Sequence, residues 1–230
     1  AMSAGAVAVN HAEARDFLIE DNRCVGVRVK DRLSRKNLEL RAAIIINAAG
    51  PWADHIMSAA DKTPPGKSLI RSKGIHIITR NLTRGAALAM PLDDEHLFIT
   101  PYMGKSLLAT TDAKFDDAPD KVRVSKTDID TLLNKANRAL PDAKLTRKDV
   151  IHAYIGLRPL VADMGDRPNS TYGLSRGSEI YDHAEQGGVN GMISALGGKW
   201  TTARRLAEQV VDLAMQKLDV LSFKKLLIVI

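Results

Sequence analysis

The sequence contains little cysteine, few aromatic residues and no long apolar run. Cys24 is the one cysteine among 230 residues, so a single chain can form neither a disulfide framework nor a cysteine-based zinc cluster, and a reducing, cytosolic setting is favoured. The longest apolar run, Leu221 to Ile230, is interrupted by Lys224 and Lys225 and falls short of the roughly 18–20 residues that span a bilayer. The sequence therefore predicts no membrane-spanning helix.

Two kinds of motif are also missing from the sequence. The six histidines show no H-x-x-H, H-E-x-x-H or similar spacing, so no metal site is predicted. The sequence also has no G-x-G-x-x-G, the turn that holds a dinucleotide pyrophosphate in the first strand-to-helix crossing of many nucleotide-binding folds.

What is present is typical of an ordinary globular protein. Hydrophobic residues make up 45% and charged residues 26%, with a mean hydropathy of -0.13, so the chain can form one large domain or two small ones. The net charge of +6 and the pI near 9.4 suit nucleic acid, an anionic membrane surface or an anionic substrate. Charge alone does not choose among these partners.

The first part of the chain has the pattern of strands followed by a helix. Gly5 to Asn10, Cys24 to Val29 and Leu38 to Ala48 are rich in branched apolar residues and are predicted strands, with a turn at Asp21-Asn22. Pro51 then opens a helix predicted over residues 52–60, because proline is tolerated in a first helical turn.

From Ser68 onward the pattern changes to short strands at turn-separated spacing. The predicted strands are Ile75 to Arg80, Leu97 to Tyr102, Ser106 to Thr111, Val150 to Leu157 and Gly191 to Leu196. Ser125 is the predicted N-cap of a helix that Pro141 ends, and a second long helix carries Leu206, Val210, Leu213 and Leu218 at helical spacing.

The segment Gly197 to Thr202 has the composition of an anion-binding turn. Glycines allow a close approach of the backbone to a ligand, and the N-terminus of the following helix favours negative charge. The alternative is a plain strand-to-helix turn in which Thr201 or Thr202 is the N-cap.

Five short motifs occur in order along the chain. They are Ile46 to Asp54, Lys73 to His76, Thr110 to Asp112, Tyr154 to Leu160, and Gly197 to Thr202 with Arg204. Together they resemble the FAD-dependent glycerol-3-phosphate dehydrogenases. The resemblance implies a mixed α/β (α+β) fold, in which a partial FAD-binding domain of the glutathione-reductase or D-amino-acid-oxidase type carries an inserted antiparallel substrate domain.

The resemblance also implies how the domains divide the chain. Residues 1–66 would form part of the FAD-binding domain, residues 67–160 the substrate domain, and residues 161–230 the returning strand and helix of the FAD-binding domain. Because the G-x-G-x-x-G unit of the family is absent, the sequence is interpreted as a fragment of a longer enzyme. We expect the isolated chain to be inactive and to bind FAD weakly or not at all.

By resemblance, the catalytic residues are His76, Arg158 and Lys199, and the substrate-binding residues are Arg158, Lys199 and Arg176. Arg158 would contact substrate over the flavin, whereas the alternative is a structural ion pair. Lys199 would neutralise phosphate, with a surface lysine as the alternative. His76 alternates with two isoleucines, and its neutral imidazole would take the hydroxyl proton unless it is merely a solvated strand histidine.

The resemblance implies that FAD binds at the two strand-to-helix junctions, at Gly50 and Gly197. For Trp52 the alternative is a place in the hydrophobic core. The cofactor-binding residues it implies are Ala48, Gly50, Trp52, Gly197, Gly198, Lys199, Thr201 and Thr202.

The activity implied is oxidation of sn-glycerol 3-phosphate to dihydroxyacetone phosphate by hydride transfer to FAD. Electrons would pass to a membrane quinone, with the protein bound peripherally to the anionic inner face of the cell membrane, and a homodimer is allowed. A glycerol-3-phosphate oxidase or a hydroxy-acid oxidoreductase would share these motifs. A basic nucleic-acid-binding module is the rival from another class, but 4% aromatic residues and no known recognition motif argue against it.

Overall fold

The computed structural model describes residues 2–61, 66–92, 95–163, 171, 174, 176–218 and 227–230. The chain divides into two units. Unit 1 comprises Ala1–Leu69, Leu160–Asp166 and Ser175–Ile230, and unit 2 comprises Ile70–Pro159 and Arg167–Leu174.

The regular elements follow one another in chain order. The strands are β1 Ala12–Glu20, β2 Arg23–Asp31, β3 Asn37–Arg41, β4 Ile44–Asn47, β5 Lys67–Thr79, β6 Leu88–Leu92, β7 Glu95–Tyr102, β8 Lys105–Ala109, β9 Ala113–Phe115, β10 His152–Asp163, β11 Ser178–Asp182, β12 Met192–Gly197 and β13 Leu227–Val229. The α-helices are α1 Ala53–Ala60, α2 Lys126–Ala139 and α3 Ala203–Lys217. Short 3₁₀ turns at Gly50–Trp52 and Trp200–Thr202 lead into α1 and α3.

Unit 1 contains two sheets. An antiparallel sheet has the order β1-β2-β3, and a second sheet has the order β11-β12-β4-β13. In the second sheet β4 lies between β12 and β13 and is parallel to both. The three isoleucines of β4 are 0–3% exposed, as expected for a parallel strand covered on both faces.

Unit 2 is built on an antiparallel sheet with the order β10-β5-β8-β7-β6, and β9 pairs with β5. One face of the sheet forms the core against α2. That core contains Ile75, Ile77, Leu97, Ile99, Leu108, Leu132, Leu133 and Ala136. Alternation along the strands turns the intervening side chains to the opposite face, where Phe98, Tyr102 and Tyr154 are exposed.

Several sequence predictions are confirmed at the level of elements. Ser125 caps α2 by a reciprocal pair of hydrogen bonds: its hydroxyl accepts from the Asp128 N–H at 3.1 Å, and the Asp128 carboxylate accepts from the Ser125 N–H at 2.8 Å. The helix predicted over residues 52–60 is α1. The predicted mixed α/β class is also confirmed, with separate sheets in the two units.

The first predicted strand was wrong. Residues 5–10 form no strand, and the strand paired with β2 is β1. The Asp21-Asn22 turn was placed correctly: both residues have positive φ, and the turn joins Glu20 to Arg23 in the β1–β2 register. The turn at Asp21-Asn22 sets which residues can pair with β2, and these are residues 12–20. The apolar content of residues 5–10 is therefore not enough to make them a strand.

The predicted strand Leu38 to Ala48 is two strands in different sheets. β3 pairs with β2, whereas β4 pairs with β12 and β13. The break lies at Ala42-Ala43, where the Ala42 N–H still donates to the Val25 carbonyl at 3.0 Å. A continuous apolar pattern cannot show that the chain leaves one sheet for another.

No helix in the described ranges is long and apolar enough to span a bilayer. Cys24 is fully buried, and burial raises the pKa of its thiol to about 11. The thiol is therefore protonated at neutral pH.

Candidate functional site

Arg158 of β10 is held by three hydrogen bonds within unit 2. Its Nη2 donates to the Thr110 hydroxyl at 2.6 Å, and its Nη1 donates to the Ser72 hydroxyl at 3.1 Å and to the Thr111 carbonyl at 3.2 Å. These bonds fix the plane of the guanidinium. Arg158 is thus a pre-oriented cation on the sheet face opposite the core, the kind of group that binds an oxyanion well.

Gly74 of β5 makes the position of Arg158 possible. A Cβ at Gly74 would lie 2.3 Å from Arg158 Nη2 and 2.7 Å from its Cζ, much closer than atoms can approach. The guanidinium therefore lies directly over the backbone of β5. The Lys73 to His76 motif contained this glycine, but only the fold shows which side chain needs the space.

An acidic residue adjoins the Arg158 group through a hydroxyl. The Ser72 hydroxyl donates to Asp112 Oδ1 at 3.0 Å, and the Thr171 hydroxyl makes a short hydrogen bond to the same oxygen. The Thr110-Thr111-Asp112 motif therefore supplies two groups that hold Arg158 and one carboxylate linked to it through Ser72. Sequence reasoning gave none of these residues a role.

His76 lies on the same strand as Gly74 and faces away from the core. Its neighbours Ile75 and Ile77 are fully buried, and its imidazole stacks on Tyr154 with ring centroids 4.9 Å apart and ring planes 2° apart. Burial, and next the nearby charge of Arg158, lower the pKa of His76 below its usual value. The imidazole is therefore neutral at pH 7 and able to accept a proton.

In unit 1, two strand-to-helix junctions lie side by side at one sheet edge. β4 and β12 are parallel, with Asn47 opposite Ser194, so both strands end toward the same edge. Glycines with positive φ stand at both junctions: Gly50, three residues after β4, has a φ of 54°, and Gly197 at the end of β12 and Gly198 directly after it have φ of 66° and 91°. The carboxyl edge of a parallel sheet is where α/β folds place their ligands.

Both helices at this edge continue a 3₁₀ turn, and the Ala53 and Ala203 N–H groups donate to the Gly50 and Trp200 carbonyls of those turns. Within the described residues, neither Trp52 at the N-cap of α1 nor Thr202 at the N-cap of α3 makes a side-chain capping bond. The Thr202 hydroxyl instead donates to the Lys199 carbonyl at 3.2 Å. Thr202 thus occupies the N-cap position, as the plain-turn alternative has it, but its side chain does not cap the helix. Ala49 and Lys199, at the N-caps of the two 3₁₀ turns, make no side-chain cap bond either, so an anionic ligand at this edge would meet the N–H groups at the start of the 3₁₀ turns.

The remaining predicted site residues of unit 1 belong to this same edge. Lys199 is exposed, Trp200 is 96% exposed and Trp52 is 40% exposed, so Trp52 is not a core residue. Arg176 is brought to the edge because the Gly198 N–H donates to the Gly177 carbonyl at 3.0 Å. Ala48 is exposed directly after β4, and its N–H donates to the Ile230 carbonyl at 2.6 Å.

A buried chain of polar side chains runs beneath α1. The Asn47 amide donates to Ser194 Oγ at 3.0 Å, Ser194 Oγ lies 2.8 Å from His183 Nε2, and His183 Nδ1 lies 2.7 Å from Asp61 Oδ2. The side chains of His183 and Asp61 are 0% and 2% exposed. We call these four residues the buried relay.

The buried relay fixes the turn after β4. Asn47 Nδ2 also donates to the Ala53 carbonyl at 2.9 Å, and its Oδ1 accepts from the Ala49 N–H at 3.2 Å. At the other end, Asp61 Oδ1 accepts from the Val189 N–H at 3.0 Å. Because Asn47 donates to Ser194 Oγ, the Ser194 hydroxyl can donate to His183 Nε2 in the tautomer whose Nδ1–H donates to Asp61. Sequence reasoning missed this relay, because its members lie far apart along the chain.

The structure therefore divides the predicted site residues between the units. His76 and Arg158 share one face of the unit 2 sheet, whereas Lys199, Arg176 and all the predicted cofactor residues belong to unit 1. Among the described residues no atom lies within 4 Å of a Cβ built at Gly50, so a ligand can approach the backbone of this turn closely. The glycine turns and the uncapped starts of the two 3₁₀ turns fit the phosphate-bearing part of FAD. In the part of the chain that the structure describes, no three His, Cys, Asp or Glu side chains are grouped to hold a metal ion.

The sequence profile of the FAD dependent oxidoreductase family matches residues 1–204. The chain is 34% identical over 231 residues to a glycerol-3-phosphate dehydrogenase from Synechocystis sp., an alignment that covers 95% of this chain and 41% of the relative. It is 32% identical over 222 residues to an aerobic glycerol-3-phosphate dehydrogenase from Bacillus subtilis, covering 95% of this chain and 38% of the relative.

The chain is also similar in fold to solved structures. The glycerol-3-phosphate dehydrogenase from Bacillus halodurans, complexed with FAD, superposes with a TM-score of 0.79 at 32% identity, over 95% of this chain and 41% of that one. L-proline dehydrogenase from P. horikoshii shares the fold, with a TM-score of 0.67 at 18% identity over 94% of this chain and 52% of that one. The chain spans about two fifths of the length of its glycerol-3-phosphate dehydrogenase relatives.

Proposed function

The chain belongs to the FAD dependent oxidoreductase family, and we propose that the protein encoded by its complete reading frame oxidises sn-glycerol 3-phosphate to dihydroxyacetone phosphate. This substrate is supported by the relatives at 31–34% identity, which are glycerol-3-phosphate dehydrogenases. FAD, when bound, supplies the acceptor for the hydride that leaves the carbon bearing the hydroxyl group.

The observation that carries the proposal is the pairing of Arg158 with His76 on one sheet face. Arg158 is a fixed cation whose fork can hold an oxyanion, and His76 is a neutral base whose pKa is lowered by burial and by that same cation. Oxidation of an anionic secondary alcohol needs both functions: a group that holds the anion and a group that takes the hydroxyl proton.

Within this proposal His76 accepts the hydroxyl proton as the carbon–hydrogen bond breaks and the carbonyl forms. Arg158 holds an oxygen of the substrate, either on phosphate or on the reacting carbon. The turns at Gly50 and Gly197-Gly198 would hold FAD through backbone N–H groups.

We further propose that electrons pass to a membrane quinone and that the protein is bound peripherally to the inner face of the cell membrane. The net charge of +6 supports attachment to an anionic bilayer surface. Transfer to oxygen is the competing outcome. Oxygen uptake and reduction of a soluble quinone analogue, measured on the same preparation, distinguish the two acceptors.

The test of the substrate uses the complete reading frame reconstituted with FAD. We expect oxidation of glycerol 3-phosphate to exceed that of glycerol and of 2-hydroxy acids, and Arg158→Ala to lower kcat/KM about 100-fold, because a charge-assisted contact to the substrate is lost. Arg158→Lys keeps the charge but not the fork, and should fall between wild type and Arg158→Ala.

Two results would overturn parts of this proposal. If glycerol 3-phosphate is turned over no better than glycerol, the assigned substrate is wrong. If Arg158→Ala stays within about twofold of wild type, which is below roughly 0.4 kcal/mol of transition-state stabilisation, Arg158 does not contact the substrate.

A further inference from the structure

The ring of Tyr154 stacks on the imidazole of His76. The two rings are nearly parallel, 2° apart in plane and 4.9 Å apart between centroids, which is the geometry of an offset stack with partial overlap. His152 also adjoins Tyr154, with ring centroids 6.3 Å apart and ring planes tilted by 30°. Three rings thus form a row on one face of β10 and β5, the face that also carries Arg158.

The strand pattern makes this row a rigid arrangement. On β10, Ala153 and Ile155 pack against the unit 2 core, so His152 and Tyr154 must project to the other face. On β5, the buried Ile75 and Ile77 direct His76 to that same face. The stacked pair is therefore set by the registers of two core strands and not by the mobility of a loop.

The space beside the pair is open on the side of Arg158. Gly156 lies between Tyr154 and Arg158 on β10, and among the described residues no heavy atom beyond its chain neighbours lies within 4 Å of a Cβ built at Gly156. The Tyr154 ring overlaps one face of the imidazole in part, and glycine at residue 156 leaves room beside the pair. A small molecule held by Arg158 can thus reach an edge of the His76 ring.

We propose that Tyr154 is a positioning residue that holds the His76 imidazole in the orientation needed to take the substrate proton. The inference rests on the proposed function, because it assigns His76 the proton. Stacking restricts rotation of the imidazole about its terminal torsion, which is otherwise broad. A fixed ring presents one nitrogen to the substrate, and the alignment of acceptor and donor controls the rate of proton transfer.

The charged and titratable groups facing His76 are consistent with this role. Arg158 and burial both lower the pKa of His76. The pKa of Tyr154 is raised, by burial first and then by Tyr102, so the phenol is neutral and adds no charge beside the imidazole. The aromatic face of Tyr154, rather than its hydroxyl, is therefore the part that positions His76. Phenylalanine at residue 154 should preserve this role.

The first experiment measures ring geometry by NMR in the 230-residue chain with labelled histidine and aromatic residues. We expect cross-peaks between the His76 and Tyr154 rings, and an upfield shift of the His76 ring protons caused by stacking. Tyr154→Phe should retain the shift, and Tyr154→Leu should lose it. If wild type and Tyr154→Leu show the same His76 ring shifts, the proposal is overturned. Thermal unfolding of each variant separates loss of stacking from loss of fold.

The second experiment measures kinetics in the complete reading frame with FAD. Tyr154→Leu should lower kcat about tenfold, a fraction of the roughly 10²–10⁴ that a general base contributes, while KM for glycerol 3-phosphate stays within about twofold. Tyr154→Phe should restore kcat. His152→Gln is the matched control, because His152 lies in the same row without touching His76, and its kcat should not change.

These readouts separate failure of the inference from failure of the proposed function. If the NMR result is as expected but kcat of Tyr154→Leu equals that of wild type, Tyr154 orients the ring without consequence and the positioning role is wrong. If His76→Gln itself keeps full kcat, the proton assignment in the proposed function is wrong, whatever the ring shifts show. A rise in KM with unchanged kcat in Tyr154→Leu would make Tyr154 a substrate contact and also overturn the proposal.

Discussion

Gly74 of unit 2 and Gly188 of unit 1 both stand where a methyl group would collide with a charged side chain. A Cβ at Gly74 would lie 2.3 Å from the guanidinium of Arg158, and a Cβ at Gly188 would lie 2.4 Å from the carboxylate of Asp61. The two side chains differ in their surroundings. Arg158 lies half-buried on a sheet face, whereas the Asp61 side chain is 2% exposed and hydrogen-bonded at both oxygens.

The difference shows that the two units use charge for different purposes. In unit 2 the glycine makes room for a side chain that can itself meet a ligand. In unit 1 the glycine makes room for a side chain that no ligand can reach, and whose role is to hold the buried relay and the turn after β4. Under the proposed function, unit 2 would therefore contribute side chains to the chemistry, and the glycine turns of unit 1 would contribute backbone that buried side chains keep in place.

Replacement of Gly188 by alanine should have the largest effect on stability. The new methyl group displaces the Asp61 carboxylate, and the displaced charge leaves His183 and the Val189 N–H without their acceptor in a buried site. We expect the free energy of unfolding to fall by about 2–4 kcal/mol, measured by urea denaturation of the chain. Gly187→Ala is not a suitable control, because Gly187 has a φ of 78°.

The matched control for Gly188→Ala is Gly156→Ala, since a Cβ at Gly156 meets no other atom. Its unfolding free energy should stay within about 1 kcal/mol of wild type. A loss of less than about 1 kcal/mol in Gly188→Ala would mean that the buried relay adapts easily and does not fix the turn.

Gly74→Ala should separate function from stability in unit 2. The methyl group pushes away the end of a flexible side chain, so the cost in stability is small, but Arg158 must leave its bonds to Ser72 and Thr110. We expect kcat/KM for glycerol 3-phosphate to fall roughly 10- to 100-fold, as a 1 Å misplacement of a catalytic group can do. An unchanged kcat/KM would show that Arg158 acts equally well elsewhere on this face.

The pH dependence should follow the lowered pKa of His76. The unfolded imidazole gains its proton near pH 6.5, while the folded imidazole gains it only at lower pH. The free energy of unfolding should therefore decline as pH falls from about 6.5 through the lowered pKa. The acid limb of kcat/KM should lie below pH 6.5, and His76→Gln should remove that limb together with its share of the decline in stability. Survival of both in His76→Gln would place the titrating group elsewhere.

The smallest expected effect is at the start of α2, away from both glycines. Ser125→Ala removes the hydroxyl that accepts the Asp128 N–H and should lower the free energy of unfolding by about 1 kcal/mol. Ser125→Asn keeps an acceptor and should recover most of the loss. Turnover should change in neither variant, since α2 packs on the core face of the sheet. A large loss of activity in Ser125→Ala would show that the start of α2, on the core face of the unit 2 sheet, influences Arg158 and His76 on the opposite face.

Local signals predicted the parts of this fold that local chemistry decides. The helix after Ser125 follows from its cap and from Pro141, and the turn at Asp21-Asn22 follows from residues that tolerate positive φ. The strand at residues 5–10 and the unbroken strand at 38–48 were wrong, because pairing partners distant in sequence decide where a strand begins and which sheet it joins.

The candidate site was predictable only in part for the same reason. Arg158, His76 and the Gly197-Gly198 turn could be selected as reactive or backbone-permissive residues in short motifs. The bonds that orient them could not: His183 is 122 residues from Asp61, and Asn47 is 147 residues from Ser194. No periodicity or spacing rule links positions so far apart, and only the parallel pairing of β4 with β12 brings them together.

The placement of Trp52 and Trp200 gives the protein an optical property. These are the only two tryptophans in the sequence, and both are exposed in the turns that follow β4 and β12. Intrinsic tryptophan emission from this chain therefore comes from the glycine-turn edge alone, in a polar, quencher-accessible environment. Tryptophan emission therefore carries no signal from unit 2, and because Trp200 is already 96% exposed, any change on unfolding will come mainly from Trp52. Melting of unit 2 can be followed by the absorbance of Tyr102 and Tyr154, to which Tyr181 of unit 1 also contributes.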